Sequence, residues 1–200
     1  MARTASKLLV LAIALSACKK SSEVPDAGTG MISVGDEDLG FSMELGPDWS
    51  MGQVDRAKTP AILADARRVA PRGKTFLVAP RLVVTADPTD ERDAHAVITQ
   101  AQNDLRAFGE KRGVSVDRMA MSTRHAGSFE VGDVELAYSV RAGDSQRQVV
   151  QRSIMTRVPK KDASAVALTV TVTYMSDDAE LIAPEVHRIL GSLRLAEERK

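Results

Sequence analysis

The sequence predicts a single α+β domain in which helices cover an antiparallel β-sheet. From Val134 onward, three apolar stretches are separated by short turn sequences, which is the pattern of a meander. The last stretch, Ala165–Met175, carries no charge on either face, as is typical of a central strand covered on both sides. Ala94 to Phe108 places apolar residues at spacings of three and four, which predicts a helix that packs through one stripe.

The domain is predicted to open with a half-buried strand. Between Leu39 and Leu45, apolar residues alternate with glycine, serine and glutamate, a period of two. Gly46-Pro47-Asp48 then forms a turn, because proline suits its second position. Trp49 follows the turn at once, and we expect it to belong to the core rather than to a ligand platform.

Two further strands are predicted before the first helix. They cover Ile62–Ala70 and Thr75–Thr85 and are joined by a turn at Pro71-Arg72-Gly73. Pro80 makes the second an edge or bulged strand, because proline cannot donate to the ladder.

The first helix is expected to follow Asp87-Pro88-Thr89. Thr89 or Asp90 can cap its start, and Gly109 and Gly113 bracket its end. Val114–Ser122 is a further strand candidate.

The meander is predicted to consist of Val134–Arg141, Arg147–Val158 and Ala165–Met175. Gly143-Asp144-Ser145 and the stretch Pro159 to Asp162 form its two turns.

The chain is then predicted to end in helix and a short strand. Asp177 and Glu180 resemble a capping box. Pro184 predicts one turn followed by a helix that restarts with this proline early in it. Ser192–Leu195 adds a last extended piece.

The N-terminus resembles a bacterial lipoprotein signal. Basic residues precede an apolar run from Leu8 to Leu15, which is too short to span a bilayer. Leu15-Ser16-Ala17-Cys18 then resembles the lipobox, the leucine–small–small–cysteine site of lipoproteins. The resemblance implies that residues 1–17 are a signal peptide, cleaved just before Cys18, and that fatty acids are attached to this cysteine. An ordinary secretory signal is the alternative interpretation.

The remaining chain is expected to comprise a tether, one domain and a tail. Residues 18–30 are the lipidated cysteine and a polar flexible tether, 31–196 the domain and 197–200 a frayed tail. We therefore expect the protein to be located in the cell envelope. Lys19 is not the aspartate that marks inner-membrane retention in enteric bacteria, so the outer membrane is favoured.

Composition excludes several classes of protein. Basic and acidic residues balance at 27 each in the full chain, and two basic residues lie in the signal, so the remainder is slightly acidic and is not a general nucleic-acid binder. Cys18 is the only cysteine, so the domain contains no disulfide. We expect a monomeric domain without a cofactor.

Three stretches resemble PsbP-like and DcrB-like proteins. They are Leu39-Gly-Phe-Ser-Met-Glu-Leu-Gly-Pro-Asp-Trp49, Gly132-Asp-Val-Glu-Leu-Ala-Tyr138 and Ile189-Leu-Gly-Ser-Leu-Arg-Leu195. The resemblance covers about Met31 to Leu195 and includes no catalytic motif. It implies an antiparallel sheet sandwiched by helices and a binding or assembly factor, and it carries over no functional residue.

Candidate chemical sites are weak by comparison. His95, His125 and His187 have no second ligand at a metal-motif spacing. His125, Ser128 and Asp133 allow a hydrolase hypothesis, although they lack the supported turn and oxyanion hole of a triad. Met119 and Met121 could bind a soft metal, but flexible core filling is the stronger interpretation.

A basic stretch is the best candidate for an interaction surface. Between Asp55 and Arg81, seven cationic residues accompany two carboxylates. We expect Arg67, Arg68, Arg72 and Lys74 to form either a solvated hairpin face or a docking patch.

The sequence thus predicts a lipid-anchored, non-enzymatic envelope protein that binds a partner there. A small-molecule or soft-metal-binding lipoprotein is the alternative, and a hydrolase is third.

Overall fold

The computed structural model describes residues 30–112, 115–142, 145–160 and 164–196. The signal, Cys18 and the tail 197–200 therefore lie outside the described residues. The elements are β1 Ile32–Asp36, β2 Phe41–Leu45, β3 Trp49–Met51, β4 Ile62–Arg68, β5 Arg81–Pro88, α1 Ala94–Arg112, β6 Ser115–Ala126, β7 Phe129–Ala142, β8 Ser145–Pro159, β9 Ala165–Met175, a 3₁₀ turn Ser176–Asp178, α2 Ala179–Gly191 and β10 Arg194–Leu195.

Two antiparallel sheets organise the domain. The larger has the strand order β3-β4-β5-β9-β8-β7-β6, and the smaller has the order β1-β2-β10. The predicted α+β class with an antiparallel sheet is confirmed. Ala165–Met175 is a strand with the predicted bounds and is the central strand of the larger sheet.

The larger sheet is covered differently on its two faces. One face forms the main core, because α2 and the smaller sheet pack there against the even-numbered residues of β9, such as Leu168 and Val172. The other face carries α1, whose Ile98 and Ala101 pack against Val134 of β7 and a methionine of β8. Helix α1 approaches closely at Gly132, where an added Cβ would lie 2.5 Å from Ile98 Cδ1.

Strand register defines two ends of the domain, which we call the near end and the far end. At the near end β1 begins, with Ile32 opposite Leu45, and Trp49 pairs with Arg68 after the turn. Strand β1 then runs to Asp36 at the far end. There β5 and β8 terminate beside the start of β9, with Pro88 opposite Val166 and Pro159 opposite Ala165.

One predicted strand is partly wrong. The turn at Pro71-Arg72-Gly73 is present, because Lys74 N–H donates to the Pro71 carbonyl at 2.9 Å. The chain after it remains a loop until Arg81 instead of forming a strand from Thr75. Ladder pairing with β4 begins only after Pro80, whose carbonyl accepts from Arg68 N–H at 2.9 Å. Strands β1 and β3 were not predicted.

The first helix begins later than predicted. Asp93 caps α1, since its Oδ1 accepts from Ala96 N–H at 2.8 Å. Thr89 instead accepts from Glu91 N–H in the preceding loop. Gly109 lies inside α1 rather than at its end.

The second helix also differs from the prediction. No side-chain hydrogen bond caps the start of α2, so the expected capping box is absent. Pro184 lies inside a continuous α2 rather than near the start of a new helix. The preceding 3₁₀ turn supplies the single turn that was expected before it. Neither helix, over the residues described, is both long and apolar enough to cross a bilayer.

Candidate functional site

The far end of the domain carries a cleft, which we call the far-end cleft. It consists of two adjoining depressions of about 570 and 500 Å³ that share Pro88, Lys160 and Val166. The turn after β1, the end of β5 and the connection from β8 to β9 build its walls. The start of β4 contributes as well, through Pro60, Ala61 and Leu63, so four separate chain segments meet there.

One half of the cleft combines an apolar floor with carboxylates. Leu39 and Leu63 contribute to the floor, and Asp36, Asp38 and Asp87 lie around it. Asp36 is held in place, because its Oδ1 accepts from the backbone N–H groups of Asp38 at 3.1 Å and Leu39 at 3.2 Å. Arg56 Nη2 already lies 3.7 Å from Asp36 Oδ2, and Lys160 also borders this half. Asp38 and Asp87 are therefore the carboxylates that could meet positive charge on a ligand beside apolar groups.

Asp87 is a half-buried carboxylate at the end of β5. Burial raises the pKa of Asp87 above its ordinary value, and a hydrogen bond with the Thr85 side chain opposes part of this effect. A bound cation would offset the cost of keeping this carboxylate ionised. Perturbed carboxylates in clefts are common at functional sites.

The other half of the cleft carries charges of both signs. Arg157 fixes its wall, since its Nε donates to the Glu91 carbonyl at 2.9 Å. Thr89 N–H donates to the Ala165 carbonyl at 3.0 Å and ties the loop before α1 to β9. Exposed Arg92 and Lys160 complete the rim. A groove with an apolar floor and a rim of mixed charge fits a peptide segment.

The structure divides the predicted docking patch. Arg67 and Arg68 follow one another in β4 and therefore lie on opposite faces of the sheet. Arg67, Arg72 and Lys74 are exposed, whereas Arg68 is buried with 6% of its side chain accessible. Arg68 does not belong to a docking surface.

Arg68 is instead part of a buried polar network that joins α2 to the larger sheet. Glu185 of α2 accepts from Arg68 Nε at 2.9 Å and from Trp49 Nε1 at 3.0 Å. Asp48 pairs with Arg68 Nη2 at 2.9 Å. Trp49 is a core residue, as predicted, with 1% accessibility. The network satisfies its buried polar groups internally, which indicates a structural role.

The hydrolase hypothesis fails on geometry. His125 and Asp133 lie on opposite faces of the β6–β7 hairpin, because His125 is opposite Glu130 whereas Asp133 is opposite Ser122. Asp133 faces Arg124, with 3.7 Å between the carboxylate Oδ2 and Nε. Ser128 lies in the hairpin turn. The three residues cannot form a triad.

The metal hypotheses find no support in the described ranges. Met121 packs against the cluster beneath α1, which agrees with core filling. His95, His125 and His187 are exposed on α1, β6 and α2 respectively. Among the residues described, no three histidine, cysteine or acidic side chains form a group that could hold a metal ion.

Sequence reasoning did not identify the far-end cleft. It marked Asp87 only as part of a strand end, and it did not mark Asp36 at all. The signal that could have found the cleft is the position of Asp36 and Asp87 at or next to the end of a strand. No spacing pattern relates residues that only the tertiary fold brings together.

Comparisons with known proteins support the fold. No family model matches the chain, and no curated protein matches its sequence. The structure is similar to cyanobacterial PsbP (CyanoP) from Synechocystis, with a TM-score of 0.55 and 12% identity over 91% of this chain and 99% of that one. It is also similar to LpqN, described as involved in cell envelope biogenesis of Mycobacterium tuberculosis, with a TM-score of 0.53 and 15% identity over 84% of this chain and 91% of that one. A PsbP-like fold is thus supported.

Proposed function

We propose that this chain is a lipid-anchored, non-enzymatic module of the cell envelope that binds an envelope protein through the far-end cleft. The cleft is the observation that carries this proposal. Its apolar floor, carboxylates and mixed rim suit an extended segment with Lys or Arg beside apolar residues. The involvement of the structurally similar LpqN in cell envelope biogenesis agrees with this location.

The position of the cleft supports the same function. The described chain enters the domain at Ile32, and β1 separates this near end from Asp36 at the cleft. Five strand residues span roughly 17 Å. In a chain anchored through Cys18, the cleft would therefore lie about 17 Å further from the point of attachment than the near end does.

Site-specific photo-crosslinking in cells tests the proposal. A photoreactive residue at exposed Asp38 should crosslink a defined envelope protein, and the captured peptide should contain Lys or Arg beside apolar residues. The matched control is exposed Thr99 on α1, which lies outside the cleft. Equal crosslinking at both positions, or none at Asp38, would contradict cleft binding. A cofactor-sized adduct at Asp38 would favour the small-molecule alternative.

The anchor is tested separately. Cys18→Ala should abolish incorporation of labelled fatty acid and move the protein from the detergent phase to the aqueous phase. Unchanged labelling of this variant would exclude Cys18 as the lipidation site.

A further inference from the structure

The near end exposes apolar side chains that the proposed cleft function does not use. Leu77 and Met31 are the two most exposed large apolar residues in the described part of the chain, with 67% and 55% accessibility. Met31 immediately precedes β1, and Leu77 lies in the loop between β4 and β5. Both therefore lie where the chain enters the domain.

The loop that carries Leu77 is fixed by the fold. Val69 N–H donates to the Asp48 carbonyl at 2.7 Å at its start, and the Pro80 carbonyl accepts from Arg68 N–H at its end. Between them, Phe76 packs against the main core while Leu77 faces solvent. The exposure of Leu77 is thus maintained by its neighbours.

Charge near this loop is nearly balanced. Exposed Arg72 and Lys74 lie on the loop, and Lys74 acts electrostatically on Asp178. The remaining carboxylates have partners, since Asp177 pairs with Arg147 at 3.2 Å and Asp48 pairs with Arg68. The loop thus offers one exposed apolar side chain and two exposed cations rather than a strong electrostatic field.

We propose that Leu77, together with Arg72 and Lys74 earlier in the same loop, forms a second contact between the domain and the bilayer that holds Cys18. This inference rests on the proposed lipid anchor. Residues 18–30, which the sequence predicts to be a flexible tether, would have a root-mean-square reach of roughly 20 Å. The near end would then stay close to the surface. Leu77 then buries its side chain among the acyl chains, while Arg72 and Lys74 extend to lipid phosphates.

Fluorescence of the full acylated chain tests this contact. The fatty acid occupies the thiol of Cys18, so Leu77→Cys provides a single thiol for an environment-sensitive dye. The labelled protein is reconstituted into vesicles of phosphatidylethanolamine and phosphatidylglycerol. We expect a blue-shifted emission, protection from iodide and quenching by spin-labelled lipid. Thr99→Cys, labelled in the same way on α1, should remain open to iodide.

The possible failures are distinguishable. A protein that floats with the vesicles while its Leu77 label is as open to iodide as the Thr99 label overturns this inference and leaves the anchor intact. A protein that neither floats nor incorporates labelled fatty acid overturns the anchor and, with it, the second contact.

Discussion

Glu185 accepts the two hydrogen bonds of the buried network that join the residues farthest apart in the sequence. Its carboxylate accepts from Trp49 and Arg68, which lie 136 and 117 residues away in the sequence. Its side chain is only 10% exposed, so these donors offset the cost of burying its charge. The partners of Glu185 could not be predicted, because no local pattern relates Arg68 in β4 to a helix 117 residues later.

Replacement of Trp49 should show how much its buried ring and its hydrogen bond to Glu185 contribute to the stability of the fold. Trp49→Ala should lower the free energy of unfolding by about 3–5 kcal/mol, because it leaves a cavity in the core. Trp49→Phe is the control that retains most of the ring while removing the donor to Glu185, and it should cost less. Denaturant unfolding of the full chain measures both changes. An unchanged midpoint for Trp49→Ala would contradict the core assignment.

Asp87 should make stability depend on pH. Its raised pKa means that the folded chain binds a proton more readily than the unfolded chain, so stability falls as pH rises through the raised pKa. Asp87→Asn should therefore raise the melting temperature at pH 7, and this gain should disappear in acid below the ordinary aspartate pKa. The same variant should weaken binding of a basic partner.

Thermal unfolding at both pH values provides the measurement. Asp90→Asn is the control, since this carboxylate is exposed on the rim of the same cleft. A destabilised Asp87→Asn chain at pH 7 would show that the carboxylate is stabilised by its surroundings rather than strained.

At the scale of elements, the type of a segment was easier to predict than its ends. For β9, the uncharged alternating pattern predicted both the strand and its bounds. The pattern ends where the strand ends, because β9 pairs with β8 from Ala165 to Met175 and with β5 over most of that range. Ala94, Ile98 and Ala101 of the predicted stripe on α1 are buried. The helix is capped by Asp93 rather than Thr89, since the Thr89 backbone is hydrogen-bonded to β9. Strand β5 likewise begins later than predicted, at Arg81, because its pairing with β4 starts only where Arg81 lies opposite Arg67.

The contact between α1 and β7 predicts a coupled pair of substitutions. Gly132→Ala would place Cβ 2.5 Å from Ile98 Cδ1 and Cγ1, so the Ile98 side chain or α1 itself must shift, at a cost of about 1–3 kcal/mol. Ile98→Ala alone removes a buried side chain and should cost about 2–5 kcal/mol.

The double variant separates crowding from other effects. With Ile98 truncated, Gly132→Ala should cost little, so the two losses should be strongly non-additive. Denaturant unfolding of the four chains completes the cycle. If the losses in free energy of unfolding were additive, the backbone conformation of Gly132, rather than the close approach of α1, would be the reason that position 132 requires glycine.

At the scale of the whole molecule, the sequence predicted the fold class but not the surfaces. Period-two and helical patterns report which side of an element is buried, and that is sufficient for an antiparallel sheet covered by helices. The far-end cleft unites Asp36, Asp87 and Lys160 from separate segments, so no local pattern marks it. The charge count between Asp55 and Arg81 likewise could not show that Arg68 turns inward.

The pairing of β10 with β2 has a consequence for the order in which the chain folds. Ser192 and Glu44, which lie 148 residues apart, meet beside this pair. The smaller sheet therefore cannot close until Arg194 and Leu195 have been synthesised. Helix α2, which packs in the same core as Met43 and Leu45, also lies far from β2 in the sequence. Such non-local closure is slow. For a chain exported unfolded, as the proposed signal peptide implies, this delay keeps the domain open until β10 has been synthesised.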